Sequence, residues 1–143
     1  MKRIFSEVQK RRIIKNQANL LIQDLNDSLL LIKNKRFRSA YIFLFDGLER
    51  AVDIYLVNKG EKPTTRRERE ELIFKYLSPN FYRKFRSFYY ERRGGMYEDF
   101  LLITKRDFNA LLRFFKKSLS ELIKNKKNLI SQIKDIISQM EKI

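Results

Sequence analysis

Arg92 and Arg93 stand directly before the pair Gly94-Gly95, and Met96, Tyr97, Glu98 and Asp99 follow it. Only four glycines occur in the chain, and this pair is its clearest backbone break. It reads as the end of one helix and the turn into the next. Guanidinium groups at such a turn can hold a phosphate in a two-pronged grip, or stabilise charge developing on an oxygen. A turn also aims side chains into a cleft that neither flanking helix reaches alone. The same residues read equally as a solvated inter-helix turn with ordinary surface charge. Proton transfer is the harder half of the chemistry. The chain has no histidine and no cysteine, which excludes serine–histidine and cysteine–histidine catalysis and thiolate metal sites. The titratable groups near the arginines are Tyr97, Glu91, Glu98 and Asp99. Their ordinary pKa values, about 10 for tyrosine and about 4 for carboxyls, lie far from neutrality.

The elements that must position these groups are helical. Four glycines and two prolines in 143 residues leave few tight turns, while hydrophobic residues make up 43% and charged residues 34%. Charges are spread through apolar periodic segments rather than set in blocks, as in long helices with solvated faces. The length suits one domain. A net charge of +15 attracts polyanions, whether nucleic acid, an acidic protein or an anionic membrane surface. No apolar run reaches the ~18 residues needed to span a bilayer, and the charged start lacks the apolar core of a signal peptide. The expected compartment is the cytoplasm. No cofactor and no metal are expected.

From Ile4 to about Lys33 neither proline nor glycine occurs, and Ala18, Leu21, Ile22, Leu25, Leu29 and Ile32 recur at three- and four-residue steps. This predicts one long helix. Its first half carries Lys10, Arg11 and Arg12, a grip for phosphate or a solvated face. A hinge at 34–37 leads to a second helix from Ser39 to Asn58, apolar on two sides and therefore central. Gly47 in mid-helix suggests a close approach by another backbone. Asp46, Glu49 and Asp53 form the acidic side of this helix. Gly60 and Pro63 stop it. Thr65 to Glu68 reads as a capping box opening a short third helix. Ser78-Pro79 starts a fourth, running to Arg92 or Arg93, with Phe81, Phe85 and Phe88 on one face and Arg83, Lys84 and Arg86 elsewhere. Aromatics interleaved with basic residues suit single-stranded nucleic acid; aromatics at helical spacing also suit a core. After Thr104, an apolar seam runs through Phe108, Leu112, Phe115, Leu119, Leu122, Leu129, Ile133, Ile136 and Met140, interrupted by Lys126. This is a heptad pattern. It predicts one long last helix, with 125–143 as its extension, and offers more apolar positions than one helix pair needs.

Onto that order of elements falls a specific string: Arg38-Ser39-Ala40-Tyr41-Ile42-Phe43-Leu44-Phe45, then Glu49-Arg50-Ala51, Asn58-Lys59-Gly60 and Pro63-Thr64-Thr65. It resembles the HEPN family, small all-helical prokaryotic domains, over about Ser28 to Lys124. In that family the fourth helix ends in an arginine, a short spacer and histidine, or a spacer and tyrosine in the branch paired with minimal nucleotidyltransferases. Arg92 with Tyr97 fits the tyrosine form, and Glu49 falls at the family's acidic position. The resemblance implies a two-fold dimer whose arginine loops share a cleft. It also implies a toxin–antitoxin or nucleotidyltransferase-linked module and, in its ribonuclease members, metal-free RNA cleavage by arginine and histidine. This chain departs from the ribonuclease pattern, since Tyr97 stands where the imidazole would be and Met96 where the tyrosine branch often has aspartate.

The expectation is an all-α, up-and-down bundle of about five helices with long first and last members, forming a single HEPN-like domain over 1–143. It would be a homodimer binding RNA or a nucleotide in a basic cleft, with a minimal nucleotidyltransferase as protein partner and no membrane association. Arg92, Tyr97 and Glu49 are the candidate catalytic groups. Arg93, Lys10, Arg11, Arg12, Arg83, Lys84, Lys116 and Lys117 are the candidate nucleic-acid contacts. The alternatives are a weak metal-independent ribonuclease and a non-catalytic nucleic-acid-binding helical protein.

Overall fold

A computed structural model describes residues 6–97 and 102–143, with the side chains of 95–97 outside the described part. Six α-helices occur among the described residues: α1 Glu7–Lys33, α2 Phe37–Asn58, α3 Arg66–Tyr76, α4 Pro79–Tyr97, α5 Lys105–Leu122 and α6 Lys127–Glu141. The architecture is an all-α bundle.

Local chemistry sets most boundaries. Ser6 accepts from the Gln9 N–H while the Gln9 side chain accepts from the Ser6 N–H, a reciprocal cap that starts α1. Thr104 and Asp107 repeat it at α5. Thr65 accepts from the Glu68 N–H, but the Glu68 carboxylate reaches Thr64 instead of Thr65. Ser78 caps α4 through the Phe81 N–H at 3.1 Å. The α1–α2 turn uses Lys35 at φ 57° and α2 ends at Gly60 with φ 84°, left-handed conformations that glycine adopts without strain.

The central helix is α2, with twelve of its residues buried, among them Tyr41, Leu44, Phe45, Leu48, Val52 and Leu56. Its neighbours are α1, α4 and α5, with α3 bracing its far end. Phe45 packs on Phe85 at 5.1 Å between ring centroids. Phe81 and Phe85 are 5% and 0% exposed, so those two aromatics of α4 belong to the core. A Cβ on Gly47 would lie 3.1 Å from a Leu25 methyl, 3.3 Å from a Leu21 methyl and 3.4 Å from the Phe115 ring. The approach is by side chains of α1 and α5, not by the backbone that the sequence suggested.

Two sequence expectations need correction. The helix does not break at Gly94-Gly95; α4 continues through both to Tyr97, and Gly94 is buried. Glycine costs about 1 kcal/mol in a helix, but unlike proline it keeps its N–H and clashes with nothing, so an established helix can run through it. The last segment, in turn, is not one long helix. It stops at Leu122, turns with Asn125 at φ 62°, and resumes as α6. Residues 125–143 therefore hold a turn and then a separate helix, α6, that packs back on α1 and α5. The Lys116 ammonium binds the Glu141 carboxylate at 3.0 Å, and the Lys105 ammonium reaches the Ile143 carbonyl. The apolar seam is thus used within the chain, with Phe108, Phe115, Leu119, Ile133 and Met140 all buried. No helix among the described residues is long and apolar enough to cross a membrane.

Candidate nucleic-acid interface

The acidic side of α2 faces guanidinium groups from two helices, α3 and α4. Arg92 of α4 holds Asp46 Oδ1 through Nε at 3.0 Å and Nη2 at 2.8 Å. Arg69 of α3 grips both oxygens of Asp53, at 2.8 and 3.0 Å, and reaches Glu49 Oε2 at 3.2 Å. Arg50 turns the other way, to Asp24 of α1 at 3.3 Å and Gln17 at 3.4 Å. Asp46, Glu49, Arg50, Asp53 and Arg69 line a small polar cavity of about 230 Å³. Arg92 and Glu49 therefore share one wall, but each is engaged by a different hydrogen-bonding partner. Arg93 is exposed. The side chain of Tyr97 and residues Glu98 and Asp99 lie outside the described part. Among the described residues, no group of three or more acids is placed to hold a metal ion.

Burial governs the electrostatics of this wall. It pushes the Glu49 carboxyl up from its ordinary 4.5, and the nearby Arg69 charge offsets only part of that rise. Asp24 is raised in the same way, against the pull of Arg50. Burial lowers the Arg69 pKa, but the hydrogen bond and charge of Asp53, then the charge of Glu49, outweigh it, so the net direction is upward. Beside the wall, burial also raises Glu91, despite its hydrogen bond from Tyr41.

Glu49 and Asp53 should accordingly respond differently to loss of charge. Folded Glu49 takes up a proton more readily than in the unfolded chain, so its contribution to stability falls as pH climbs from about 4.5 through its raised value, then levels off. Urea titrations of Glu49→Gln should show a stability gain over wild type that grows across that window, leaving the variant within about 1 kcal/mol of wild type, or above it, at neutral pH. Asp53→Asn loses a charged two-pronged contact and should cost about 2 kcal/mol. Equal damage from both at neutral pH, or a flat Glu49→Gln difference, contradicts this account.

The basic residues converge elsewhere, on two grooves. Between α4 and α5, Lys84, Arg113, Lys116 and Lys117 rim a groove of about 780 Å³. Phe88 and Phe114 form its floor, with ring centroids 5.2 Å apart. Three of the expected contacts thus meet, joined by Arg113, which the sequence reading passed over although it stands three and four residues before Lys116 and Lys117. Arg83 is exposed on the crest of α4. Between α1 and the start of α6, a second groove of about 710 Å³ is lined by Arg11, Lys15, Lys126 and Lys127 over Ile14, Ala18 and Leu129. Of the cluster Lys10-Arg11-Arg12, only Arg11 lines it. Lys10 pairs with Glu7 at 3.8 Å, and Arg12 is exposed. The α6 residues of this groove were not foreseeable without the turn at Asn125.

The chain is an all-α bundle with a cross-braced acidic wall and two basic grooves. Comparison with protein-family models, with curated proteins and with solved structures gives no match.

Proposed function

We propose that this protein binds RNA without cleaving it, holding the phosphate backbone in the groove between α4 and α5. The observation that carries this reading is the convergence of Lys84, Arg113, Lys116 and Lys117, all exposed, on one groove of two adjacent helices. Their charge is poorly matched by acids at the site, where Glu141 pairs with Lys116 alone. Phosphate contacts from exposed cations give affinity through counterion release, without reading sequence. Of the candidate proton-transfer groups, Glu49 is engaged by Arg69, and its neighbours Asp46 and Asp53 are held by Arg92 and Arg69.

The test is the salt dependence of binding to a labelled oligoribonucleotide. Replacing Lys84, Arg113 and Lys117 together with alanine should weaken binding about 10- to 100-fold and flatten the slope of log K against log salt by about 2. A control replacing Lys33, Lys59 and Lys62, exposed cations that do not line the groove, makes the same change in net charge. If both variants weaken binding equally, the groove is not the site. RNA incubated with wild type and a chelator should stay intact.

A second reading keeps the HEPN-like module: a homodimer with a nucleotidyltransferase partner, and a ligand held at the Arg92 wall. It is favoured by the reach of Arg92 to Asp46, which sets the end of α4 against the acidic side of α2. Binding lost in Arg92→Gln but kept in the groove variant moves the ligand to that wall.

A further inference from the structure

The flank of α4 that faces α3 carries a row of rings alternating with guanidinium groups. Phe74 of α3 is 64% exposed, and its ring meets Tyr82 edge-on at 5.2 Å. One turn along, the Arg86 guanidinium lies 5.6 Å from the ring centroids of both Tyr82 and Tyr90 and donates to the Tyr90 hydroxyl at 3.1 Å. Tyr90 is 46% exposed, and it meets Tyr89 edge-on at 5.6 Å. Arg66 stacks over Tyr89 at 4.4 Å. Tyr82, Arg86 and Tyr90 are four residues apart and so form one stripe along the helix.

A single exposed aromatic needs no explanation. Here Phe74 and Tyr82 also line a shallow hollow of about 430 Å³, bounded by Arg67, Glu70 and Glu71. The acids of the hollow are neutralised. Glu70 receives Arg66 at 2.5 Å and Arg86 at 3.3 Å, and Glu71 receives Arg67 at 3.4 Å. What remains open to solvent is aromatic surface set among cations, with the Arg67-paired Glu71 at its edge. That combination suits nucleobases, which offer flat faces for stacking while their phosphates seek positive charge.

We propose that this flank is a base-stacking platform for single-stranded RNA. It continues, over the crest where Arg83 stands, the phosphate path of the α4–α5 groove, and the inference rests on that groove's reading. The substrate class follows from the rings. Bases in a duplex are stacked on one another and present only their edges, whereas an unpaired base can lie flat on Phe74 or Tyr90.

Fluorescence anisotropy with the full chain tests it, using a labelled oligouridylate of about 12 nucleotides and an RNA duplex of equal length. Phe74→Ala and Tyr90→Leu should each weaken oligouridylate binding about tenfold, Tyr90→Phe should retain it, and duplex binding should not change. Both rings are exposed, and melting curves check that the variants fold. If neither variant shifts oligouridylate affinity by more than about twofold while the groove variant still weakens it, the platform is wrong and the groove stands. If the groove variant has no effect either, the RNA reading itself fails. Equal losses on single strand and duplex overturn the stacking role. So does ring-dependent binding of an acidic peptide with no ring dependence for RNA.

Discussion

Arg69→Met should lower the stability of the bundle by about 3 kcal/mol. Exposed ion pairs contribute little, typically about 0–1 kcal/mol, but Arg69 is not such a case. Its side chain is 18% exposed and those of its partners Glu49 and Asp53 are 22% and 14% exposed. Methionine keeps most of the length and apolar stem of arginine while removing the charge. It leaves two carboxylates one turn apart on α2 unanswered, with Asp46 nearby, in a site where burial already disfavours the charge of Glu49. Breaking a buried pair by removing one partner costs about 3–5 kcal/mol, and this partly buried site belongs at the lower end. Chemical unfolding at neutral pH measures the loss. Adding Asp53→Asn to Arg69→Met should recover roughly 1–2 kcal/mol, since the neutral amide no longer needs its cation. A single-variant loss under about 1 kcal/mol, with no recovery in the double variant, would show that the network contributes only as a surface pair does.

Gly47→Leu should cost about as much, roughly 3 kcal/mol, for a different reason. Gly47 is buried where α1, α2 and α5 meet, and even a Cβ would touch Leu21, Leu25 and Phe115 within 3.4 Å. Leucine adds three more carbons with nowhere to go, so either the helices separate or several side chains leave their preferred rotamers. Gly47→Ala is the informative companion. Its new methyl meets the mobile ends of two leucines and a ring edge, and alanine gains about 1 kcal/mol in helix propensity. It should therefore fall within about 1 kcal/mol of wild type. Thermal melts of the pair decide the matter, and a tolerated leucine means that the junction is looser than these distances imply.

Much of this fold is legible in the amino-acid sequence because helix periodicity is local. The stripes of α1, α2 and α5, the stop at Gly60 and the starts at Ser78-Pro79 and Thr104 are each decided by residues a few positions apart. The turn between α5 and α6 is harder to see. Asparagine is among the few non-glycine residues that tolerate a left-handed backbone, yet Asn125 lies inside an apolar pattern that continues on both sides. Lys126, read as a polar step in the seam, in fact stands at the start of the new helix. Gly94-Gly95 shows the opposite error: a strong local signal for a break that the helix passes through. The acidic side of α2 is visible from the spacing of Asp46, Glu49 and Asp53. Arg69 and Arg92 are not visible as its partners, because their reach depends on how α3 and α4 are rotated about their axes, which no spacing within one helix determines. The same holds for the pairing of Lys84 with Arg113 and Lys117 across the α4–α5 groove.

The return of α6 to α1 has a consequence for the chain as it is synthesised. The two helices pack side by side, yet roughly ninety residues separate Lys33 from Lys127. At the ~5–20 residues per second of translation, the face of α1 that α6 covers waits roughly 5–20 s for its partner. During that interval α2 to α5 can already assemble on the rest of α1, leaving one apolar strip in water beside Arg11 and Lys15. Arg11 and Lys15 flank that strip, so repulsion between like-charged nascent chains opposes their association there while it stands open.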